Sequence, residues 1–254
     1  MKKTAIEAVK KAGAYLLKHY KRDSSLLSKR EMGKHIVTVY DKGADIIIKE
    51  VIRKRYPDHN LLSEESGYED RMSEYTWIVD PLDGTGNYAG SNPFWAVSIA
   101  LMKNNEVVLG VVYAPVIDEL YVAEKGKGST LNDERIYVSE QEELKRSYLL
   151  SCEGGSENNT RISKLYQKLY PSVKDLRKFG SAAIEGCFVA SGRRDAYVVI
   201  VISPWDVAAC NLIVEEAGGK VTKLDGGEWK ADVCDLLLSN GRLHEDILKQ
   251  AEKI

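Results

Sequence analysis

Thr76-Trp77-Ile78-Val79-Asp80-Pro81-Leu82-Asp83-Gly84-Thr85-Gly86-Asn87-Tyr88 is the stretch from which the rest of the chain can be read. The apolar run Trp77 to Val79 predicts a buried strand. It runs into two carboxylates with Pro81 between them, and Pro81, which has no N–H, is expected to stop the ladder there. Gly84-Thr85-Gly86-Asn87 predicts a tight turn that opens into a short helix. Two acids at a strand exit, beside free backbone N–H groups, suit one pair of ligands. Carboxylate oxygens hold a hard cation and N–H groups hold a phosphate. An Asp-Gly turn with an Asp cap accounts for any one of these residues. It accounts poorly for two acids and two glycines on a single strand exit.

The 254 residues are enough for one large domain or two small ones. An apolar content of 44% against 29% charged allows a sizeable core and argues against disorder. A net charge of −2 argues against a nucleic-acid groove. Cys152, Cys187, Cys210 and Cys234 form no Cys-x-x-Cys and read as unpaired thiols in a reducing compartment. His19, His35, His59 and His244 share no metal-ligand spacing, so a transition-metal site is not indicated. The first residues are lysine-rich, but Glu7, Lys10 and Lys11 interrupt the apolar run that a secretory leader needs. Ile6, Val9, Gly13, Leu16, Leu17 and Tyr20 fall instead on one helical face. The expectation is an amphipathic first helix and a cytoplasmic protein. No apolar run is long enough to span a membrane.

Outward from the central strand, Ser24 to Gly33 is polar and His35 to Asp41 reads as a short extended piece or turn. A helix with Ala44, Ile47, Ile48, Val51 and Ile52 on one face follows, with Pro57 beyond its end. Asn60 to Ser63 reads as a strand running into Glu64-Glu65-Ser66-Gly67. Trp95 to Met102 and Val107 to Ala114 are strands around a polar turn, Leu120 to Ala123 is another, and a further hairpin ends near Ile136 to Val138. The Glu/Lys-rich Glu140 to Arg146 is the best internal boundary, giving halves 1–143 and 144–254. The second half alternates: strand Tyr148 to Cys152, helix Thr160 to Leu169, helix Ser181 to Ser191, strand Ala196 to Ile202. Helix Trp205 to Ala217 ends at Gly218-Gly219. Strands at Val221 and at Leu236 to Leu238, and a last helix Glu245 to Ile254, complete an α+β pattern of sheets covered by helices.

Acids stand at four separate places: Asp41, Glu64-Glu65, Asp80/Asp83 and Asp206. Taken singly, each has a bland explanation. Asp206 follows Ser203-Pro204, a natural start for a helix, and an acid in a first helical turn is favoured by the dipole alone. The set carries the weight, because a Mg²⁺ site needs several oxygens from different elements around a shared phosphate.

Asp80-Pro81-Leu82-Asp83-Gly84-Thr85-Gly86-Asn87 resembles the D-P-[IL]-D-G-T-x-N signature of the inositol monophosphatase family. Trp205-Asp206-Val207-Ala208-Ala209 through Glu216-Ala217-Gly218-Gly219 is similar to that family's second signature. Glu64-Glu65-Ser66, Val37-Thr38-Val39-Tyr40-Asp41 and Gly180-Ser181-Ala182-Ala183 match further elements, in family order over nearly the whole chain. The resemblance implies a layered αβαβα sandwich, commonly a homodimer, acting on small-molecule phosphate esters with two or three Mg²⁺ per site. It assigns Glu64, Asp80, Asp83, Asp206 and the carbonyl of Leu82 to the metals, with Glu65 close by. It assigns Thr85 and Asp41 to the attacking water, and the N–H groups of Gly84 and Thr85 to phosphate oxygens. Ser181, Ala182 and Glu185 fall on the substrate side. Haloacid-dehalogenase phosphatases carry D-x-D-G-T; here the acids are three apart rather than two, so that register fails.

The chain also departs from the family. Arg30 stands where a Lys is common, His35 where an Asp is common, and Gly86 where inositol-specific members usually carry Thr. Val199 stands where those members carry a Glu that grips ring hydroxyls. None of these removes a metal ligand. The expectation is a Mg²⁺-dependent phosphomonoesterase for inositol 1-phosphate, with fructose 1,6-bisphosphate as a second substrate. A nucleotide 3′-phosphatase is the enzymatic alternative, although Gly86-Asn87-Tyr88 lacks the K-E-F such members tend to show. A catalytically silent scaffold or regulatory homologue is the alternative outside enzymes, and it predicts loss of a ligand where all five positions are filled.

Overall fold

The computed structural model describes residues 1–21, 39–153 and 159–251. The polar stretch Ser24 to Gly33, the extended piece expected from His35, Arg30, the Val37-Thr38 match and the last residues of the expected C-terminal helix lie outside them.

Two N-terminal helices, α1 (Lys2–His19) and α2 (Val39–Arg55), form one outer layer. Ala5, Ala8, Val9, Ala12 and Leu16 give α1 a stripe of mostly small side chains, which lets α2 and a sheet approach closely. The sheet has eight strands in the order β2-β1-β3-β4-β5-β6-β7-β8. These are β1 (Asn60–Ser63), β2 (Gly67–Glu69), β3 (Tyr75–Asp83), β4 (Ala96–Lys103), β5 (Glu106–Ala114), β6 (Glu119–Glu124), β7 (Gly128–Leu131) and β8 (Glu134–Arg135). The expected meander is present, but β1 pairs with β3 in parallel and β2 is an additional antiparallel edge strand. The hairpin strand expected near Ile136 to Val138 ends at Arg135. The Val138 N–H bonds instead to the Ala217 carbonyl, tying this segment to the end of a helix.

Strand alternation builds the layers. In β3, Trp77 and Val79 face the outer helices, while Ile78 faces the molecule's middle. The middle layer is a helix pair, α5 (Ala182–Ala190) and α6 (Pro204–Glu216). Both are apolar on nearly every face, as helices between two sheets must be. A Cβ on Gly110 of β5 would lie 2.5 Å from the Ala209 carbonyl oxygen, so α6 sits directly against this sheet only because residue 110 has no side chain. The short helix α3 (Thr85–Ala89) follows β3.

The second sheet has the order β10-β9-β11-β13-β12, from β9 (Tyr148–Glu153), β10 (Asp175–Arg177), β11 (Ala196–Ile202), β12 (Lys220–Lys223) and β13 (Cys234–Ser239). In β11, Tyr197 and Val199 point to the middle helices, and Ala196, Val198 and Ile200 to the last layer. That layer is α4 (Asn159–Leu169) with α7 (His244–Ala251). The order of layers is therefore helix, sheet, helix, sheet, helix: the αβαβα sandwich. One core, with Ile78, Ala100 and Val112 on one side and Leu150, Tyr197 and Leu238 on the other, joins the two sheets through α5 and α6. No helix among the described residues is long and apolar enough to cross a membrane.

Candidate metal-phosphate site

The ladder does not stop at Pro81. Asp80 pairs with Ser98 and Asp83 with Ala96, so Pro81 and Leu82 together oppose the single residue Val97. This is a β-bulge, and its physical cause is the missing N–H of Pro81. The bulge decides the site. In a regular strand, residues three apart face opposite ways. The extra residue turns Asp83 back to the side of Asp80.

The carboxylates of Asp80, Asp83 and Asp206 each offer an oxygen, and these all lie within 4.8 Å of one another. Asp80 is 1% exposed; its Oδ1 accepts the Leu82 N–H at 3.0 Å and its Oδ2 has no partner. Asp83 sits at the N-terminus of α5, accepting from Ser181 Oγ, the Ala182 N–H at 3.1 Å and the Ala183 N–H at 3.0 Å. Asp206 lies in the first turn of α6 and accepts the Ser203 N–H at 3.1 Å, closing a capping box. Its helix-start role and its place among the acids are thus compatible: one oxygen caps the helix, and the carboxyl still lies beside Asp80 and Asp83. Glu64 stands outside the close group of three.

These acids repel one another. Burial, then Glu64, Asp83 and Asp206, push the Asp80 carboxyl well above its ordinary range. Burial, then Asp83 and Glu64, do the same to Asp206. Burial pushes Asp83 up to about 6, against the lowering effect of its hydrogen bonds from Ser181, Ala183 and Ala182. Glu64 keeps solvent contact, yet crowding by protein atoms and neighbouring acids raises it to about 7. A buried oxygen without a partner, among mutually repelling carboxylates, fits a multivalent cation bound through hard oxygens.

Beside the acids, Thr85 Oγ1 lies 3.2 Å from Asp41 Oδ1 and 3.1 Å from the Leu82 carbonyl oxygen. Asp41 was expected to end an extended piece; it lies instead in the first turn of α2, where the helix dipole favours an acid. Gly84 has φ +83°, and a Cβ there would lie 2.9 Å from the Phe94 carbonyl oxygen, so only glycine fits. As the cap of α3 it leaves its own N–H and that of Thr85 without intrahelical partners. A Cβ on Gly86, by contrast, would meet nothing within 4 Å.

The three residues expected on the substrate side are engaged within the protein. Ser181 and Ala182 hold Asp83. Glu185 is fully buried, its Oε1 accepts the Phe179 N–H at 2.6 Å, and burial raises its carboxyl to about 8. Glu65 is half-buried, and its N–H donates to Ser63 Oγ at 3.3 Å.

Two further residues shape the site, and the sequence reading gave neither a role. Asp45 accepts from Ser63 Oγ at 2.6 Å and so steadies the turn that carries Glu64 and Glu65. Its signal is spacing, one helical turn beyond Asp41 on the same face. Asn87 Nδ2 reaches the carbonyls of Phe94 at 2.6 Å and Phe179 at 2.7 Å, which clamps α3 to the loop before α5. Its signal is its fixed place in the motif.

A layered sandwich with acids converging from β3 and α6 beside a glycine-capped helix start, and Glu64 just beyond β1, forms a candidate site for a metal and a phosphate. The sequence profile described as the inositol monophosphatase family matches residues 1–254, and the chain belongs to that family. It is 37% identical over 253 residues to a Nus factor SuhB of Pasteurella multocida, covering 98% of this chain and 94% of the relative. It is also 37% identical to a fructose-1,6-bisphosphatase/inositol-1-monophosphatase of Thermotoga maritima, covering 98% and 95%. The solved inositol monophosphatase of Anabaena superposes with a TM-score of 0.88 at 36% identity, covering 99% of this chain and 95% of that one.

Proposed function

We propose that this protein is a Mg²⁺-dependent phosphomonoesterase acting on inositol 1-phosphate and other small phosphorylated alcohols, fructose 1,6-bisphosphate among them. The observation that carries the reading is the convergence of three aspartate oxygens within 4.8 Å, with the Thr85–Asp41 pair beside them. Asp80, Asp83, Asp206, Glu64 and the Leu82 carbonyl are the groups to hold the metal. Bound Mg²⁺ supplies the positive charge that offsets the phosphate dianion and the departing alkoxide. The protein does the rest by position. The N–H groups of Gly84 and Thr85 hold phosphate oxygens, and the rigid bulge keeps Asp80 and Asp83 facing them. The Thr85 hydroxyl orients the attacking water, and the Asp41 carboxylate takes its proton.

Phosphate release from a panel of inositol, sugar and nucleotide phosphates, with and without Mg²⁺, tests this. Mg²⁺-dependent release from the alcohol and sugar esters supports it. Preference for nucleotide 3′-phosphates moves the assignment to that branch. Relatives named Nus factor SuhB support a second reading, a regulatory partner protein. Failure to hydrolyse any ester at saturating Mg²⁺ would leave that reading standing and remove the first.

A further inference from the structure

The turn between β4 and β5, the C-terminal half of α6 and the loop between β12 and β13 enclose a cavity of about 220 Å³. None of the acids assigned to the metal lines it. It belongs to the opposite end of α6: Glu215 lies nine residues beyond Asp206, about 13 Å along the helix.

Asn211 lines this cavity and is only 3% exposed, yet neither its Nδ2 nor its Oδ1 has a hydrogen-bond partner. Buried amides are almost always satisfied, and an orphan pair beside a cavity is open to a partner that enters it, water or ligand. A carboxamide presents a donor and an acceptor side by side. Its complement is a planar edge with an acceptor next to a donor, as on an amino-purine or a primary amide. The walls sharpen the choice. Glu106, Glu215 and Glu228 face one lysine, Lys125, which is already paired with Glu106. Burial raises the Glu215 carboxyl, with Glu216 and Glu228 adding to the effect and Lys125 opposing it. This surroundings repels phosphates and carboxylates. Trp229 and Leu212 supply apolar wall, and the indole N–H of Trp229 is already bonded to the Asp232 carbonyl. The volume falls below the roughly 300–1,000 Å³ of ordinary ligand pockets, so it suits a base rather than a nucleotide.

We propose that this cavity is a second binding site, separate from the phosphatase centre, for an uncharged planar molecule of nucleobase or carboxamide size recognised by Asn211. The site needs no metal and no hydrolysis, so it stands or falls independently of the catalytic assignment.

Calorimetric titration of the metal-free protein with adenine, nicotinamide and nicotinate tests it. Nicotinate has the ring of nicotinamide but a carboxylate in place of the amide. At least one neutral ligand is expected to bind with Kd near or below about 1 mM, and nicotinate about tenfold more weakly or worse. Asn211→Leu is expected to weaken the neutral ligand at least about tenfold, with the circular dichroism spectrum unchanged. Should Asn211→Leu fail to fold, Trp229→Ala on the loop is expected to weaken binding in the same assay. Wild-type protein that binds neither neutral ligand at about 10 mM overturns the proposal, as does equal affinity for nicotinate or undiminished binding by folded Asn211→Leu.

Discussion

Thr85 Oγ1 and Asp41 Oδ1, 44 residues apart in sequence, lie 3.2 Å apart at the mouth of the acidic cluster. The Leu82 carbonyl oxygen lies 3.1 Å from the same hydroxyl, so its one proton has an acceptor on either side. Under the proposed assignment, Thr85→Ala removes the group that orients the water and leaves the N–H groups proposed for phosphate in place. The expected result is a fall in kcat of about a hundredfold or more, with KM nearly unchanged. Steady-state kinetics with inositol 1-phosphate reads this; a change in KM alone would make Thr85 a substrate contact.

Asp80→Asn separates function from stability. Loss of an anionic ligand is expected to cut turnover by about a hundredfold or more. The same change removes one of several repelling buried charges, so the metal-free variant is expected to melt higher than metal-free wild type. Each kcal/mol gained appears as about 2–4 °C in Tm for a chain of this size. Calorimetry in chelator gives the answer, and a lower Tm would mean that Asp80 is structural.

The pH dependence follows from the same repulsion. Glu64 is raised from 4.5 to about 7 and Asp83 from 3.8 to about 6. Between those values the folded state keeps protons that the unfolded state has lost, so metal-free stability falls as pH rises from about 4 to about 7. His244 acts oppositely: burial lowers it from 6.5 to about 4, so its contribution is lost as pH falls through that interval. Asp80, Asp206 and Glu185, whose carboxyls burial also raises, act in the same direction as Glu64 and Asp83, so against one imidazole the metal-free protein shows a net decline with rising pH. Saturating Mg²⁺ is expected to flatten or reverse it, and melting curves with and without Mg²⁺ decide.

Glu185 is expected to act through the loop it holds. Glu185→Gln keeps an acceptor for the Phe179 N–H and should leave kcat/KM near wild type. Glu185→Leu removes it and frees the loop whose carbonyls clamp Asn87, so kcat/KM is expected to fall about tenfold or more. Equal activity of the two variants would assign Glu185 no positioning role.

Val199 offers no hydrogen-bond acceptor, and in the structure it is fully buried against the middle helices. Inositol 1-phosphate and glycerol 2-phosphate are therefore expected to differ by less than about a hundredfold in kcat/KM, or about 2.7 kcal/mol. Val199→Glu buries a carboxylate among apolar neighbours and is expected to lower Tm rather than create selectivity. A stable variant with a gain for inositol 1-phosphate would show that this position reaches the ring.

The sequence alone determined most of the strands and helices and the chemical types at the site, because these rest on local patterns; the short edge strands β2 and β10 were not among them. Continuous apolar runs mark β3 and β11, Gly84 marks the left-handed turn, and Ser203-Pro204 marks the start of α6. The motif order was enough to name the layers. Only the tertiary structure decided which way the acids face. Whether Asp80 and Asp83 share a side depends on a bulge, whose register is set by pairing with β4 and not by either residue's own preference. The same is true of Asp206, which any helix start would favour, and which meets Asp80 only because α6 packs against the first sheet at Gly110. The fate of Glu185, too, is set by packing: a carboxylate looks equally at home on a surface or beside a ligand until the layers on either side close over it.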